Sequence, residues 1–150
     1  MPDQFTIEIS TLVSALRELQ NFEHRLQSVL KDNDVLQAIG IQLVETAKTN
    51  IEEGGRPTPF KPLAPSTLKA RKRKGYTTQP MFKTGDLQQS LAFEISGGEL
   101  YLTALDYLKY HQFNENRQNP DKFPARPVFT ILPDDEQFVA DKITQFLTIK

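Results

Sequence analysis

Residues 92–103 read AFEISGGELYLT, in which two runs of alternating apolar and polar residues flank Gly97 and Gly98. Paired glycines accept the positive φ values of a two-residue hairpin turn, so the stretch predicts an antiparallel β-hairpin. Pairing across this turn keeps the four apolar side chains on one side of the sheet. The expected cross-strand partners are Phe93 with Leu102, Glu94 with Tyr101, and Ile95 with Leu100.

Two amphipathic helices are predicted on the amino-terminal side of the hairpin. Apolar residues recur at helical spacing over residues 11–30, with a break expected near Asn21. The polar residues 32–34 supply an N-cap, and a second helix over residues 35–51 ends at the glycine pair 54–55. Two helices therefore precede the hairpin.

Residues 54–65, GGRPTPFKPLAP, contain two glycines and four prolines. Because proline lacks a backbone donor and fixes φ, this stretch excludes a regular helix or a central strand. We expect a proline-rich arm here, with flexibility in the wider region 54–82. A short basic helix is predicted over residues 66–74, capped by Ser66 and closed by Gly75.

A helical turn is expected just before the hairpin. Thr84 is the predicted N-cap of a turn that begins near Asp86. Leu87 and Leu91 are one helical turn apart, so both are expected on its inner face.

The segments after the hairpin complete the predicted fold. Residues 114–122, NENRQNPDK, carry no apolar anchor and are predicted to form a flexible loop. Residues 128–132 are predicted to form a strand, and Asp134 with Gln137 resembles a capping box ahead of a last helix. This order of elements predicts an α+β fold in a single domain over residues 1–150. The fold comprises two N-terminal helices, a proline-rich arm, a small antiparallel sheet with a Gly-Gly hairpin, and a C-terminal helix.

Composition limits the class of protein. A chain of 150 residues is the size of one domain, and a domain of that size buries roughly 70% of its unfolded surface. The absence of cysteine excludes disulfides and thiolate chemistry, and the net charge of -1 gives no global preference for nucleic acid. No apolar run reaches the length of a signal peptide or a membrane span, so we expect a soluble, intracellular chain without a membrane partner.

Residues 107–113, YLKYHQF, place His111 among aromatic residues, where it is a candidate catalytic base, metal ligand or packing residue. A lone histidine beside aromatic side chains is more often a hydrogen-bonded packing residue. No serine-nucleophile, Walker or dinucleotide-binding motif is present, so we expect no catalytic, cofactor-binding or metal-binding residues and no enzyme. The acids weighed as catalytic candidates and expected to be solvated are Glu94, Asp106, Asp134 and Asp135.

A basic run contains five of the 18 lysine and arginine residues: Lys69, Arg71, Lys72, Arg73 and Lys74. Such a run neutralises phosphates, contacts an acidic protein or forms a solvated helix face. Direct contact with nucleic acid is not favoured, because no aromatic residue is interleaved with the charges, and an acidic protein partner is just as plausible. A nucleic-acid-binding accessory module that uses residues 69–74 is the alternative function.

Four short motifs follow one another along the chain: FKPL at 60–63, TGDLQQS at 84–90, YLKYHQF at 107–113 and PARPVF at 124–129. Together they resemble motifs of the phage virion morphogenesis family, the tail-completion proteins of contractile-tailed phages and Mu-like prophages. The resemblance covers roughly residues 35–150. Phe60 stands where that family usually has tryptophan, and Asn114 stands where it usually has glycine.

The resemblance implies a structural role in building the virion, at the end of the tail that meets the head, without turnover chemistry. It implies a homo-oligomeric ring and contacts with other phage tail and neck proteins. The implied location is the host cytoplasm during assembly and then the virion tail.

The resemblance also implies roles for individual residues. Thr84 and Gly85 would start the turn before the hairpin, and Arg126 would bond a carboxylate or carbonyl through its planar fork. His111 and Gln112 would fix the segment ahead of Asn114 by hydrogen bonds to backbone. The full set of motif residues with implied structural roles is Phe60, Pro62, Leu63, Thr84, Gly85, Leu87, Ser90, Tyr107, His111, Gln112, Phe113, Pro124, Arg126 and Pro127.

Overall fold

Six helices and one two-stranded sheet form the parts of the chain that the computed structural model describes, residues 9–113 and 124–149. The fold is α+β, as the sequence predicts. The helices are α1 (Ile9–Leu30), α2 (Asn33–Glu52), α3 (Pro65–Arg73), α4 (Asp86–Ser90), α5 (Leu108–Gln112) and α6 (Pro133–Ile149), and the strands are β1 (Ala92–Ser96) and β2 (Glu99–Thr103).

The β-hairpin has the predicted register. β1 and β2 pair antiparallel, with Phe93 opposite Leu102, Ile95 opposite Leu100 and Glu94 opposite Tyr101. Gly97 and Gly98 form the turn with φ values of 61° and 76°. The prediction from residues 92–103 is therefore confirmed in full.

Helix α2 is the element around which the core is built. Asp32 caps it, since its side-chain carboxylate accepts hydrogen bonds from Asp34 N at 2.9 Å and Val35 N at 3.4 Å. The helix packs against the hairpin and α6. The buried core cluster comprises Val44, Ala47, Ile51, Phe60, Met81, Leu87, Leu91, Leu108 and Val128. The predicted inward placement of Leu87 and Leu91 is confirmed.

Gly40 lets the hairpin approach α2 closely. A Cβ built at Gly40 would lie 2.5 Å from Cδ2 of Phe93 and 2.7 Å from its Cε2. A real Cβ atom essentially never lies so close to a heavy atom that is not bonded to it. Glycine at this position therefore lets the Phe93 ring pack directly on the helix backbone. The β1 strand is thereby seated on α2 at the level of this glycine.

Helix α1 runs without interruption, so the break predicted near Asn21 is wrong. Asparagine lowers helix propensity by less than about 0.7 kcal/mol, which is too little to interrupt a long helix. The C-terminal end of α1 packs into the fold, where Val29 is buried. Several large apolar residues nearer its N-terminus are exposed.

The arm contains no helix or strand over residues 54–64, as predicted. Helix α3 begins at Pro65 with Ala64 as its N-cap, so the predicted cap at Ser66 is wrong. The fixed φ of proline suits the first helical position, which moves the start of the helix ahead of the serine. The flexibility expected over 54–82 stays a prediction, and the loop expected over 114–122 lies outside the described residues.

Three other local predictions are wrong for a shared reason: a neighbouring group takes the hydrogen bond that the prediction needs. Residues 128–132 form no strand, because side chains bond the backbone there. The N-cap of α4 is Gly85, with φ of 90°, while the Thr84 hydroxyl donates to the carboxylate of Asp86. At the start of α6 the backbone N–H of Leu132 donates to Asp135, and Gln137 bonds Asp141 instead of forming a capping box with Asp134.

We expect Gly40→Ala to destabilise the protein even though alanine is the better helix former. Alanine gains about 1 kcal/mol of helix propensity, but its methyl group overlaps the Phe93 ring, and overpacking typically costs about 1–3 kcal/mol. Urea denaturation should show a lower free energy of unfolding. The loss should shrink when Phe93→Leu is added to both proteins; an equal loss in the two backgrounds would contradict the close approach.

Candidate functional site

Arg126 joins its own motif, PARPVF at 124–129, to the arm. Its Nε donates to the carbonyl of Lys61 at 2.7 Å, and its Nη2 donates to the carbonyl of Pro62 at 2.9 Å. The residue is 8% exposed, although it stands between the half-buried Pro124 and the exposed Pro127. The two-pronged contact suits the planar guanidinium, whose donors are fixed in a fork. The bonded groups are backbone carbonyls of this same chain.

Gln112 holds the segment that follows Arg126. Its side-chain oxygen accepts from Val128 N at 2.9 Å and Phe129 N at 3.1 Å, and its Nε2 donates to Phe129 O at 2.7 Å. The backbone N–H of Arg126 donates to the carbonyl of His111 at 2.7 Å. One amide therefore satisfies three backbone groups that a strand partner would otherwise bond.

Asn50 completes this set of contacts from α2. Its Nδ2 donates to Val128 O at 2.9 Å, and its Oδ1 accepts from Arg56 Nε at 2.8 Å. Arg56 also donates through Nη2 to Thr46 O at 3.1 Å and pairs with Glu53 at 3.4 Å. We call Asn50, Arg56, Gln112 and Arg126 the arm clamp, because together they bind the arm and residues 124–129 to the body of the fold.

The arm itself is anchored by an apolar side chain and a tight turn. Phe60 belongs to the buried core cluster, whereas Leu63 is half-buried and Pro62 is exposed. The Phe60 N–H donates to Gly54 O at 2.7 Å. A Cβ on Gly55 would lie 2.6 Å from Phe60 N, so glycine is required where the chain folds back.

A cavity of about 400 Å³ lies where two other motifs meet. Thr84, Gly85 and Leu87 line it from one motif, and Tyr107 and His111 line it from another. The rings of Tyr107 and His111 are edge-to-face, with centroids 6.3 Å apart. The remaining lining residues are Arg71, Met81, Lys83 and Asp86.

Ser90, the last residue of the motif at 84–90, has defined structural contacts. Ser90 donates through its hydroxyl to Leu87 O at 2.7 Å and accepts from Leu105 N at 3.1 Å, which ties α4 to the chain beyond the hairpin. Phe113, in contrast, is 62% exposed. Burial raises the pKa of the Tyr107 hydroxyl, and the negative charge of Asp86 raises it further. Within residues 9–113 and 124–149 no group of three histidine or acidic residues is placed to hold a metal ion.

The basic run divides into one anchored residue and four exposed ones. Nη1 of Arg71 donates to the carbonyls of Gln79 at 2.9 Å and Thr77 at 3.2 Å, and the residue is half-buried. Arg71 therefore holds the turn after α3 and is not simply a surface charge. The exposed residues of the run are Lys69, Lys72, Arg73 and Lys74.

Asp135 corrects the expectation that the candidate acids are all solvated. It is 1% exposed, and its carboxylate accepts from the Thr46 hydroxyl, from Gln42 Nε2 at 3.0 Å and from Leu132 N at 2.9 Å. Burial alone would raise the pKa of Asp135, but these hydrogen bonds and the positive charge of Arg56 bring it below its usual value. The other three acids are exposed: Glu94, Asp106 and Asp134.

Sequence reasoning missed Asn50, Arg56 and Asp135. A signal was present for the first, because Thr46 and Asn50 are polar residues beside the core positions Ala47 and Ile51 on α2. Polar residues on a buried helix face need hydrogen-bond partners, so that face indicates a long-range polar contact. No local pattern identifies which distant residue supplies it.

The comparisons with known proteins identify a class, phage assembly proteins. The sequence model of the phage virion morphogenesis family matches residues 14–148, nearly the whole chain. The chain belongs to that family. No curated protein and no solved structure matches it. No helix in the described part of the chain has the length and apolar character needed to cross a membrane.

We expect Arg126→Lys to weaken the attachment of the arm. A single ammonium cannot reproduce the fork, so one of the Lys61 and Pro62 carbonyls loses its donor at a cost of about 1–3 kcal/mol. Chemical denaturation should measure that loss, and limited proteolysis should cut the arm faster. Lys61→Ala is the matched control, because it removes a side chain at the same place and leaves both carbonyls bonded. Equal stability of Arg126→Lys and the wild-type protein would contradict the clamp.

We expect the stability contribution of Asp135 to depend on pH with a definite sign. Folding lowers the pKa of Asp135 below 3.8, its value in the unfolded chain. Above that pH the ionised carboxylate therefore stabilises the fold. That contribution is lost as the pH falls through the folded value. Asp135→Asn should therefore lower the free energy of unfolding at neutral pH, by about 1–3 kcal/mol for the mispaired buried amide. Denaturation at a series of pH values should show the gap narrowing below the unfolded value; a constant gap would contradict an ionised Asp135.

Proposed function

We propose that this protein acts in tail completion, at the end of the phage tail that meets the head. Its membership of the phage virion morphogenesis family over residues 14–148 is the observation that carries the proposal. The motif residues act structurally, since the Arg126 guanidinium and the Gln112 amide bond backbone of the same chain. These uses of two polar motif side chains support a role without turnover chemistry.

The proposed partners are other phage tail and neck proteins, with the chain itself forming a homo-oligomeric ring in the particle. A ring requires each copy to offer two different surfaces, one to each neighbour. The proposed location is the host cytoplasm during assembly and the virion tail afterwards.

A nucleic-acid-binding role is the second candidate. It is favoured by four exposed cations on and just after α3, none of which forms a salt bridge with a described residue: Lys69, Lys72, Arg73 and Lys74. Four phosphate contacts would suffice for salt-sensitive binding. Against it stands Arg71, the fifth member of the run, whose guanidinium is committed to backbone carbonyls.

Deleting the gene from its phage should give heads and tails that fail to join. Electron microscopy of the lysate should show separate heads and tails, and supplying the wild-type chain in trans should restore complete particles. The Lys61→Ala chain should restore them equally well. Normal joined particles without this chain would exclude a role in tail completion.

DNA binding by the purified chain should be weak, and its dependence on salt should be shallow. The alternative role instead predicts a log–log salt slope of about -0.9 for each phosphate contacted. Lys72→Glu with Arg73→Glu would then abolish binding, while the same charge change at Lys31 and Lys109 would not. Arg71 is not substituted in these variants, because its guanidinium bonds backbone carbonyls. Steep binding that is lost only in the α3 variant would favour the alternative.

A further inference from the structure

We propose that the exposed apolar face of α1 docks into a groove between α2 and β1 of a second copy of this chain. The contact joins two different surfaces, so it runs head to tail from copy to copy. It rests on the proposed function, in which copies form a ring, and it names the surfaces that make the ring.

The donor surface is a row of large apolar side chains on the N-terminal half of α1. Leu12, Leu16 and Leu19 are 49%, 59% and 65% exposed, and Phe22 is 51% exposed. Their i, i+4, i+7 spacing puts the three leucines on one side of the helix, which is the pattern of a helix that binds in an apolar groove. We call these four residues the α1 stripe.

The α1 stripe continues an interface that already exists within the fold. Further along the same helix Val29 is 4% exposed, and the guanidinium of Arg25 donates to Leu147 O at the end of α6. Helix α6 thus covers α1 near its C-terminus, with Phe146 and Leu147 beside Val29. Helix α1 therefore carries apolar residues that are packed near its C-terminus and exposed nearer its N-terminus. An exposed apolar surface that continues a packed one indicates a contact surface.

The receiving surface lies on another part of the molecule. Ile41 of α2 is 51% exposed and stands beside a groove of about 260 Å³. Val44 and Leu91 form its buried wall, and Ala92 and Phe93 of β1 complete the apolar lining. Glu45 supplies the polar rim. We call this the α2–β1 groove.

Each surface lacks what the other supplies. The α1 stripe projects branched apolar side chains, and the α2–β1 groove is an apolar recess with one charged residue. A contact between two different patches is heterologous, and heterologous contacts close into rings when the rotation permits. A second copy is therefore the occupant that fits both surfaces and the proposed ring at once.

The test uses one variant for each surface. Leu12→Glu with Leu19→Glu charges the stripe, and Ile41→Lys charges the groove. Each variant alone should be monomeric by light scattering where the wild-type chain forms oligomers. Mixed together they should form one-to-one dimers and nothing larger, because one intact stripe meets one intact groove. An α1–α1 contact would instead leave Ile41→Lys oligomeric on its own and would give no mixed dimers of the two variants, and either result overturns the proposal.

Matched controls separate surface effects from misfolding. Ser14→Glu with Asn21→Glu adds the same two charges, seven residues apart, on the opposite side of α1. Gln37→Lys is the corresponding control for α2. Both control proteins should assemble like the wild type, and all variants should keep the wild-type circular dichroism. Loss of assembly in a folded control variant would overturn the assignment of the surfaces.

Disulfide capture provides an independent readout because the chain has no cysteine. A Leu19→Cys, Ile41→Cys double variant should give a ladder of covalent oligomers on oxidation, whereas the two single variants mixed should give a covalent dimer of the two. A wild-type chain that stays monomeric, together with a double variant that forms no intermolecular disulfide, overturns the proposal. So does normal tail completion by a Leu12→Glu, Leu19→Glu chain that cannot oligomerise, a result that leaves the proposed function intact.

Discussion

The structure depends on satisfying the backbone of segments that belong to no helix or sheet. The arm and residues 124–129 run against the core, where unbonded carbonyl and N–H groups are costly. The arm clamp meets this constraint with side chains from three distant parts of the sequence. Asn50 comes from α2, Gln112 from α5 and Arg126 from residues 124–129, and each bonds main-chain groups. These contacts hold the backbone on either side of two core residues, Phe60 and Val128.

Sequence patterns predicted the elements whose causes are local. The hairpin register followed from Gly97, Gly98 and the alternation on either side, and α2 followed from helical spacing with a polar cap. Elements that depend on distant partners were mispredicted. Residues 128–132 have the composition of a strand, yet Gln112 and Asn50 occupy the backbone groups that a strand would pair. The burial of Asp135 depends on Thr46, about 90 residues earlier, so no local rule indicates it.

The motif residues of the candidate site could be recognised in the sequence, but their arrangement and the contributions of Asn50 and Arg56 could not. The motifs at 60–63, 107–113 and 124–129 were recognisable in sequence, and the fold brings parts of all three together through Gln112 and Arg126. The motif at 84–90 instead lines the cavity beside Tyr107 and His111. Two sites thus emerge from one series of motifs. His111, the candidate catalytic base of the sequence analysis, lies between these two sites. Its carbonyl accepts a hydrogen bond from the Arg126 N–H, and the residue lines the cavity.

The two-pronged contact of Arg126 has a consequence for how the arm of this chain can vary. The guanidinium binds carbonyl oxygens, which every amino acid supplies, and the side chains of Lys61 and Pro62 are exposed. The arm can therefore change the chemistry of its outer surface without losing its attachment. Selection by a new partner can act on those outward side chains while the backbone path beneath them is inherited unchanged.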